Sequence, residues 1–142
     1  MSEQYNLRLV QEFYAAFKRG DIPGVLNTLA DDVGWFIPGP KDIIPFVRER
    51  QGSDQVAQLI AKLTETEDAG QFEPREFIAQ RGKVVALGHY RWRVKPTGDS
   101  YASDLVHVFT VQDGKVSNFR EYLDTHAWAA AYRSAQWEGS DG

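Results

Sequence analysis

The chain has 142 residues, of which 42% are hydrophobic and 13% aromatic, and its formal net charge at pH 7 is −4. This length predicts one domain over 1–142, because two smaller cores would each bury too little surface. The lack of cysteine excludes disulfides, thiolate zinc sites and cysteine nucleophiles. The negative net charge and the scattered Lys and Arg residues argue against a nucleic-acid partner.

Nothing in the sequence indicates export or membrane insertion. Residues 1–10 lack the basic flank and apolar run of a signal peptide, and no stretch has the length of a membrane span. A cysteine-free chain suits a reducing compartment, so we expect a cytoplasmic protein without a membrane partner.

The first segments predict two helices. The first, which ends near Gly20, has apolar residues at steps of three and four: Leu7, Val10, Phe13, Tyr14 and Phe17. Asp21 caps a short second helix with Pro23 just inside its start, Leu29 on its buried side and Asp31-Asp32 at its end.

A brief strand follows at 35–37, and Pro38-Gly39-Pro40 stops it. The apolar loop after it, which contains Ile43, Ile44 and Phe46, is either a lid over a pocket or is packed against the next helix. That third helix is capped by Ser53 and ends in an acidic linker containing Gly70.

The pattern then changes to a period of two, which predicts four strands at 72–79, 83–95, 101–112 and 115–124. Turns lie at 96–99 and at Asp113-Gly114. Asp124 caps a last helix over about 125–133, and the tail from 134 is polar. Helices followed by an antiparallel meander predict an α+β fold.

Both faces of the third long strand are apolar. Leu105, Phe109 and Val111 lie on one face, and Val106 and Val108 lie on the other. The predicted helices cover only one face, so we expect a homodimer through the outer face of the sheet.

Several segments resemble one family along most of the chain. They are Phe13–Phe17 running into Gly20-Asp21, Ala30–Val33, Glu73–Phe77, His107–Val116 and Phe119–Thr125. Together they resemble the SnoaL-like, ketosteroid isomerase-related branch of the nuclear transport factor two-like superfamily. The resemblance implies a cone-shaped, cystatin-like roll, often dimeric, with three N-terminal helices packed on a curved, mostly antiparallel sheet and a short C-terminal helix. Members of this family include isomerases, polyketide cyclases, epoxide hydrolases, dehydratases and non-catalytic binding proteins.

The resemblance argues against steroid isomerisation. The catalytic base of the steroid isomerases falls at Ile37, and the helix tyrosine of their oxyanion hole falls at Phe13. Their second oxyanion-hole donor falls at or beside His107. Neither the base nor the tyrosine is present here.

The limonene-type epoxide hydrolases match at one of three catalytic positions. Their second acidic residue matches Glu121, whereas their arginine and first aspartate fall at Gly88 and Tyr90. One group of three does not supply that mechanism.

The Asp113-Gly114 turn determines which residues face each other on the last two strands. A three-residue loop with a bulge places His107 beside Phe119 and diagonal to Glu121, whereas a two-residue loop places it beside Arg120. We predict the bulged register, which agrees with the family resemblance.

On this register His107 and Glu121 meet inside the cone. They are either a catalytic pair that transfers a proton or a structural pair that satisfies itself with Tyr14 or Tyr90. The predicted pocket around them is lined by Tyr14, Phe17, Trp35, Ile37, Tyr90, Trp92, Phe109, Phe119 and Leu123. Such walls favour a small, partly apolar ligand. The function is thus that of an isomerase, cyclase or hydrolase, or of a non-catalytic ligand-binding or dimerisation module.

The remaining polar residues indicate no further chemistry. The row from His89 through Arg91, Arg93 and Lys95 meets acidic groups at a dimer interface or faces solvent, and His126 lies on the surface. Asp104 points outside the cone. Metal-ligand spacings, nucleotide-binding glycine motifs and a serine nucleophile elbow are missing, so we expect no metal and no cofactor.

Overall fold

The structure, a computed structural model, describes residues 2–44, 47 and 49–141, with side chains up to residue 133. The first helix, α1, spans Glu3–Lys18. It begins at Ser2, whose side chain accepts a hydrogen bond from the Tyr5 N–H at 3.1 Å. It ends before Gly20, where φ is +73° and a side chain would be strained. The predicted apolar stripe faces the sheet and buries Val10, Phe13 and Tyr14.

The second helix, α2, is shorter than predicted and spans Ile22–Leu26. Asp21 caps it as expected, by accepting the Gly24 N–H at 3.0 Å. Leu29 does not continue the helix, because it begins strand β1 (Leu29–Phe36) and pairs with Val116 there. The predicted strand at 35–37 is therefore the end of a longer one.

The loop after β1 is partly core. Ile44 is fully buried and Ile43 packs against the core cluster, so Ile44 is a core residue rather than part of a mobile lid. Phe46 of the predicted lid lies outside the described residues. A short strand that the sequence did not indicate, β2 (Glu49–Gln51), pairs antiparallel with β1.

The third helix, α3, spans Ser53–Thr66 and begins one residue earlier than predicted. Gly52 is the N-cap, with φ at +92°, and Ser53 is the first helical residue, so the predicted serine cap is wrong. The chain needs glycine at this position because residues with a side chain rarely adopt that backbone conformation.

Four long antiparallel strands follow in chain order. They are β3 (Glu67–Gln80), β4 (Lys83–Val94), β5 (Ser100–Gln112) and β6 (Lys115–Tyr122). The predicted acidic linker is wrong, because β3 begins at Glu67, which pairs with Val94, rather than near residue 72. The six strands form one sheet in the order β2-β1-β6-β5-β4-β3. The β1–β6 pair is parallel and the other pairs are antiparallel.

The turn between β5 and β6 differs from the predicted three-residue loop. Asp113 and Gly114 both have positive φ, at 52° and 78°, and form a two-residue turn. The extra residue lies further along β6, at Ser117, where the register shifts between Thr110 and Val111. His107 consequently lies directly opposite Glu121, and Phe109 opposite Phe119. The predicted diagonal relation was wrong, although the shared face was right.

The last helix, α4, spans Thr125–Asp141. Asp124 caps it as predicted, by accepting the Ala127 N–H at 3.0 Å. The helix continues past the predicted end at residue 133, since residues 125–138 contain no glycine or proline. Within the described part of the chain, no helix is long and apolar enough to cross a membrane.

The fold prediction is confirmed in its architecture, with helices packed on one face of a curved, mostly antiparallel sheet. The inner face of β5 buries Leu105, Phe109 and Val111 against the helices. Val106 and Val108 lie on the outer face and are half-buried.

Gly88 permits the close approach of β3 to β4. A Cβ at this position would lie 2.1 Å from the Glu73 carbonyl oxygen and 2.8 Å from the Pro74 Cα, both backbone atoms. We expect Gly88→Ala to lower the free energy of unfolding by about 1–3 kcal/mol, since the strands must separate. Urea denaturation measures this change. Ala102→Ser, which adds one heavy atom at an exposed strand position, is the control, and equal stability of the two variants would contradict the prediction.

Candidate functional site

A hydrogen-bonded chain of three side chains crosses the interior. The Tyr14 hydroxyl lies 2.6 Å from His107 Nδ1, and His107 Nε2 lies 2.7 Å from Glu121 Oε2. α1 supplies Tyr14, and the facing strands β5 and β6 supply the other two residues. The structure thus brings together the two residues predicted to act as a pair, and of the two tyrosines named as their possible partners, Tyr14 is the one hydrogen-bonded to His107.

The direction of each hydrogen bond follows from the two ends of the chain. The Glu121 carboxylate can only accept, so His107 donates to it from Nε2–H. In the neutral imidazole Nδ1 is then an acceptor, and the Tyr14 hydroxyl donates to it. Burial, and secondarily the charge of Glu121, raise the pKa of Tyr14 far above its ordinary value, so this hydroxyl keeps the proton that it donates.

Aromatic rings surround this chain and exclude water. The Phe119 ring lies 4.9 Å from the His107 ring, and Tyr14 stacks on His107 at 5.8 Å between centroids. Trp35 stacks on Phe119 at 3.9 Å. The side chain of His107 is 5% exposed, whereas that of Glu121 is 18% exposed. Glu121 is therefore the end of the chain that faces outward.

The predicted pocket residues lie in the same interior. Of the nine predicted lining residues together with His107 and Glu121, eight are buried: Tyr14, Trp35, Ile37, Tyr90, Trp92, His107, Phe109 and Phe119. Phe17 and Leu123 are partly buried against the same cluster. Many of the rings touch one another, so the interior around His107 is largely filled by side chains.

An open cleft lies at one end of this interior, between the end of α1 and the first half of β3. Its volume is about 560 Å³, which is within the range of small-molecule sites. Of the predicted pocket residues, Phe17 and Trp92 line it, together with Phe72 and Glu67.

Comparison with known proteins identifies the family. A family model described as the SnoaL-like domain matches residues 10–119. The chain belongs to the SnoaL-like family. Membership supports a small-molecule-binding domain, and the predicted recognition is confirmed.

Solved structures and a curated protein resemble this SnoaL-like chain over most of its length. An NTF2-like protein from Burkholderia xenovorans LB400 is 39% identical, with a TM-score of 0.85, over 93% of this chain and 98% of that one. TerC, co-crystallised with polyporic acid, is 26% identical, with a TM-score of 0.75, over 92% and 99%. The uncharacterised protein Rv0034 of Mycobacterium tuberculosis is 27% identical over 124 residues, which is 86% of this chain and 91% of that protein.

On the outer face of the sheet, three residues of the basic row lie beside acids of this chain: His89, Arg93 and Lys95. His89 lies 3.2 Å from Asp104, and Asp68 lies 2.6 Å from Arg93 and 3.7 Å from Lys95. These acids belong to the neighbouring strands and are exposed, so each pair stabilises the fold only slightly. Among the described side chains, no three His, Asp or Glu residues lie close enough to hold a metal ion.

A second buried polar cluster, centred on Glu67, was missed by the sequence reasoning. Glu67 is 2% exposed and accepts hydrogen bonds from the hydroxyls of Tyr101 and Tyr132 and from the Trp128 indole N–H. The last two residues belong to α4, so this carboxyl group holds α4 against the sheet. The only sequence signal for this cluster was the presence of aromatic residues with hydrogen-bond donors on β5 and α4. Nothing in the sequence indicated that they contact Glu67, because they lie far from it along the chain.

The environment of Glu67 makes stability depend on pH. Burial raises the pKa of this carboxyl group, and its three hydrogen bonds oppose that effect without cancelling it. The folded state then binds the proton more tightly than the unfolded state does. The stabilising contribution is complete below the unfolded value of 4.5 and is lost as pH rises through the folded pKa.

We therefore expect Glu67→Gln to change the pH dependence of unfolding. From about pH 4.5 towards neutral, the free energy of unfolding of the wild type minus that of the variant should fall, because the variant has no proton to lose. Urea denaturation across this range gives the difference curve. Glu73→Gln is the control: Arg75 lowers the pKa of that exposed carboxyl group, so its contribution changes only as pH falls below 4.5, and its difference curve should be nearly flat between pH 4.5 and neutral. A flat or rising curve for Glu67→Gln would contradict the prediction.

Proposed function

We propose that this SnoaL-like domain binds a small, flat, partly apolar molecule and exchanges a proton with it through Glu121, without a cofactor. The observation that supports the proposal is the hydrogen-bonded chain from Tyr14 through His107 to Glu121. Its outward end is a carboxylate, and its inner end is fixed by a tyrosine that stays protonated. This arrangement gives Glu121 a defined orientation and charge.

Within the proposal, each residue has a separate role. Both ring nitrogens of His107 are already hydrogen-bonded, so the substrate contacts Glu121 rather than the imidazole. The carboxylate takes a proton from a carbon or hydroxyl of the ligand and later returns it. His107 positions Glu121 and stabilises its negative charge by donating the Nε2–H hydrogen bond, and Tyr14 fixes the tautomer of His107. Reactions of this class are those of isomerases and cyclases.

A second candidate function is a non-catalytic binding or dimerisation module. The observation that favours it is the same saturation of His107, together with the aromatic rings that fill the space around it. A buried pair that is fully hydrogen-bonded stabilises a core without performing any reaction. The two functions differ in whether Glu121 exchanges a proton with a bound ligand.

Polyporic acid is a suitable first ligand, because TerC was co-crystallised with it and is similar to this chain over most of its length. Calorimetric titration with polyporic acid tests binding alone. We expect saturable binding if the protein is either an enzyme or a non-catalytic binding module, and no binding if it serves only for dimerisation.

Proton exchange separates catalysis from binding. In 2-tetralone, the hydrogens between the ring and the carbonyl are acidic; a base removes one as a proton, and the resulting enolate takes a deuteron from D2O. We expect the wild-type protein to accelerate this exchange and Glu121→Gln to slow it by about a hundredfold or more, since the amide is not a base. Proton NMR follows the loss of the signal. His107→Asn should slow it less than Glu121→Gln does.

Tyr5→Phe is the matched control, because it removes a tyrosine hydroxyl that lies outside the hydrogen-bonded chain, on the same helix that carries Tyr14. It should leave the exchange rate unchanged, and thermal melts should show that every variant is folded. Exchange that survives Glu121→Gln would remove Glu121 from the mechanism. Binding of polyporic acid without any accelerated exchange would favour the binding module.

We also propose that two copies associate through the outer face of the sheet. Val85 pairs with Val108, and Leu87 with Val106, across β4 and β5 on that face. Tyr122, which is 42% exposed, extends the apolar surface onto β6. An apolar sheet face without a covering helix favours association.

The dimer is tested by a charge on that face. Val108→Lys should convert a species of twice the chain mass into one of single mass in light scattering after gel filtration, because an unpaired ammonium group cannot be buried in the interface. Gln11→Lys adds the same charge on the exposed side of α1 and should leave the dimer intact. A monomeric wild type would rule out this interface.

A further inference from the structure

The cleft between α1 and β3 has an aromatic floor. The ring of Phe17 stacks on Trp92 with centroids 6.1 Å apart and planes 19° apart, and Phe72 meets Trp92 edge to face at 5.9 Å. Phe72 and Phe17 also touch each other, at 5.4 Å. A flat aromatic molecule is the ligand shape that such a floor favours, through stacked and edge contacts.

Trp92 carries a polar group that no described residue satisfies. The residue is only 6% exposed, and its buried indole N–H has no hydrogen-bond partner in the part of the chain that the structure describes. A buried donor without an acceptor is unfavourable, because it has lost its bond to water and gained none in return. Trp92 also lines the cleft, so a ligand that enters there contacts the residue that carries this donor.

Phe72 stands between the cleft and the hydrogen-bonded chain. On one side its ring touches Phe17 and Trp92, and on the other it lies 5.7 Å from the ring of Tyr14 and 6.4 Å from that of His107. Phe72 is only partly buried, and it belongs to β3, an edge strand.

The ladder between β3 and β4 is irregular on both sides of Phe72. The register shifts between Ala69 and Gln71 and again between Pro74 and Glu76. Such bulges bend a strand and weaken its pairing locally. The short segment that carries Phe72 is therefore less firmly paired than the rest of the strand.

We propose that the cleft binds a planar aromatic ligand with a carbonyl oxygen, which accepts a hydrogen bond from the Trp92 indole N–H once the Phe72 ring has turned away. The ligand ring replaces Phe72 against Trp92. The same movement opens the way from the cleft to Tyr14, His107 and Glu121. The inference rests on the proposed function for what happens beyond Phe72, but the Trp92 contact stands without it.

The test uses two probes of the same shape, 2-acetylnaphthalene and 2-ethylnaphthalene, of which only the first has an acceptor. The protein labelled with nitrogen-15 is titrated with each probe, and the indole N–H signals are followed. Of the four tryptophans, Trp92 is assigned by its missing signal in Trp92→Phe. We expect its proton to move downfield with the ketone only, and the ketone to bind about tenfold more tightly than the hydrocarbon.

Trp35 provides an internal control, because its indole N–H is also buried without a partner among the described residues, but Trp35 does not line the cleft. Its signal should show no downfield shift. Equal affinities for the two probes, or a hydrogen-bond shift at Trp35 and none at Trp92, would overturn the proposal.

Two variants complete the test. Trp92→Phe keeps an aromatic ring but no donor, so its affinity for the ketone should fall to that for the hydrocarbon. Phe72→Leu should strengthen ketone binding about threefold or more, because less of the protein must be displaced; weaker binding would show that Phe72 is a wall of the site. The Trp92 shift should persist in Glu121→Gln. If that variant also retains proton exchange, the proposed function fails while the Trp92 site stands.

Discussion

The structure depends on the exclusion of water from an aromatic interior that nevertheless contains ionisable groups. A carboxylate or imidazole placed among phenylalanine and tryptophan rings loses its hydration and must find partners inside the protein. His107 meets this requirement with one partner at each ring nitrogen, and Glu67 does so with three donors. The elements that carry those partners are fixed in place as a consequence. α1 is tied to the sheet through Tyr14, and α4 is tied to it through Trp128 and Tyr132.

The carboxyl groups of Glu67 and Glu121 are not independent. Burial is the main cause of the raised pKa of Glu67, and the charge of Glu121 adds to it. Burial likewise raises the pKa of Tyr90, and both carboxylates raise it further. Their environments are different, however. Glu121 has one donor and some exposure, whereas Glu67 has three donors and almost none. A carboxylate with one donor has an oxygen left to accept a proton or a ligand, which is why the proposed chemistry involves Glu121 and the structural role belongs to Glu67.

The sequence predicted most of the architecture because that part of the fold follows from repeating patterns. The apolar stripe of α1 and the period of two from Phe72 onward are visible without any knowledge of contacts, and the cap at Asp124 is equally local. The same patterns predict that Tyr14, His107 and Glu121 face the interior. Periodicity could not predict where the extra residue of the β-bulge lies. Ser117 is bulged in the middle of β6, where nothing distinguishes it in the sequence, and this changes a diagonal pair into a direct one.

The Glu67 cluster illustrates the other limit. An acidic residue beside Asp68 and near Gly70 has the local features of a solvated linker, and only its long-range contacts reveal a buried strand residue. Tyr101, Trp128 and Tyr132 are 34, 61 and 65 positions away along the chain. A carboxyl group is kept in such a place only when donors from separate elements converge on it, so its burial is a property of the assembled fold. Trp92 is the reverse case, a buried donor on which no acceptor of the described chain converges. Of the described residues that line the cleft, Trp92 is the one whose buried side-chain polar atom lacks a partner, which is why we propose that a ligand oxygen binds there.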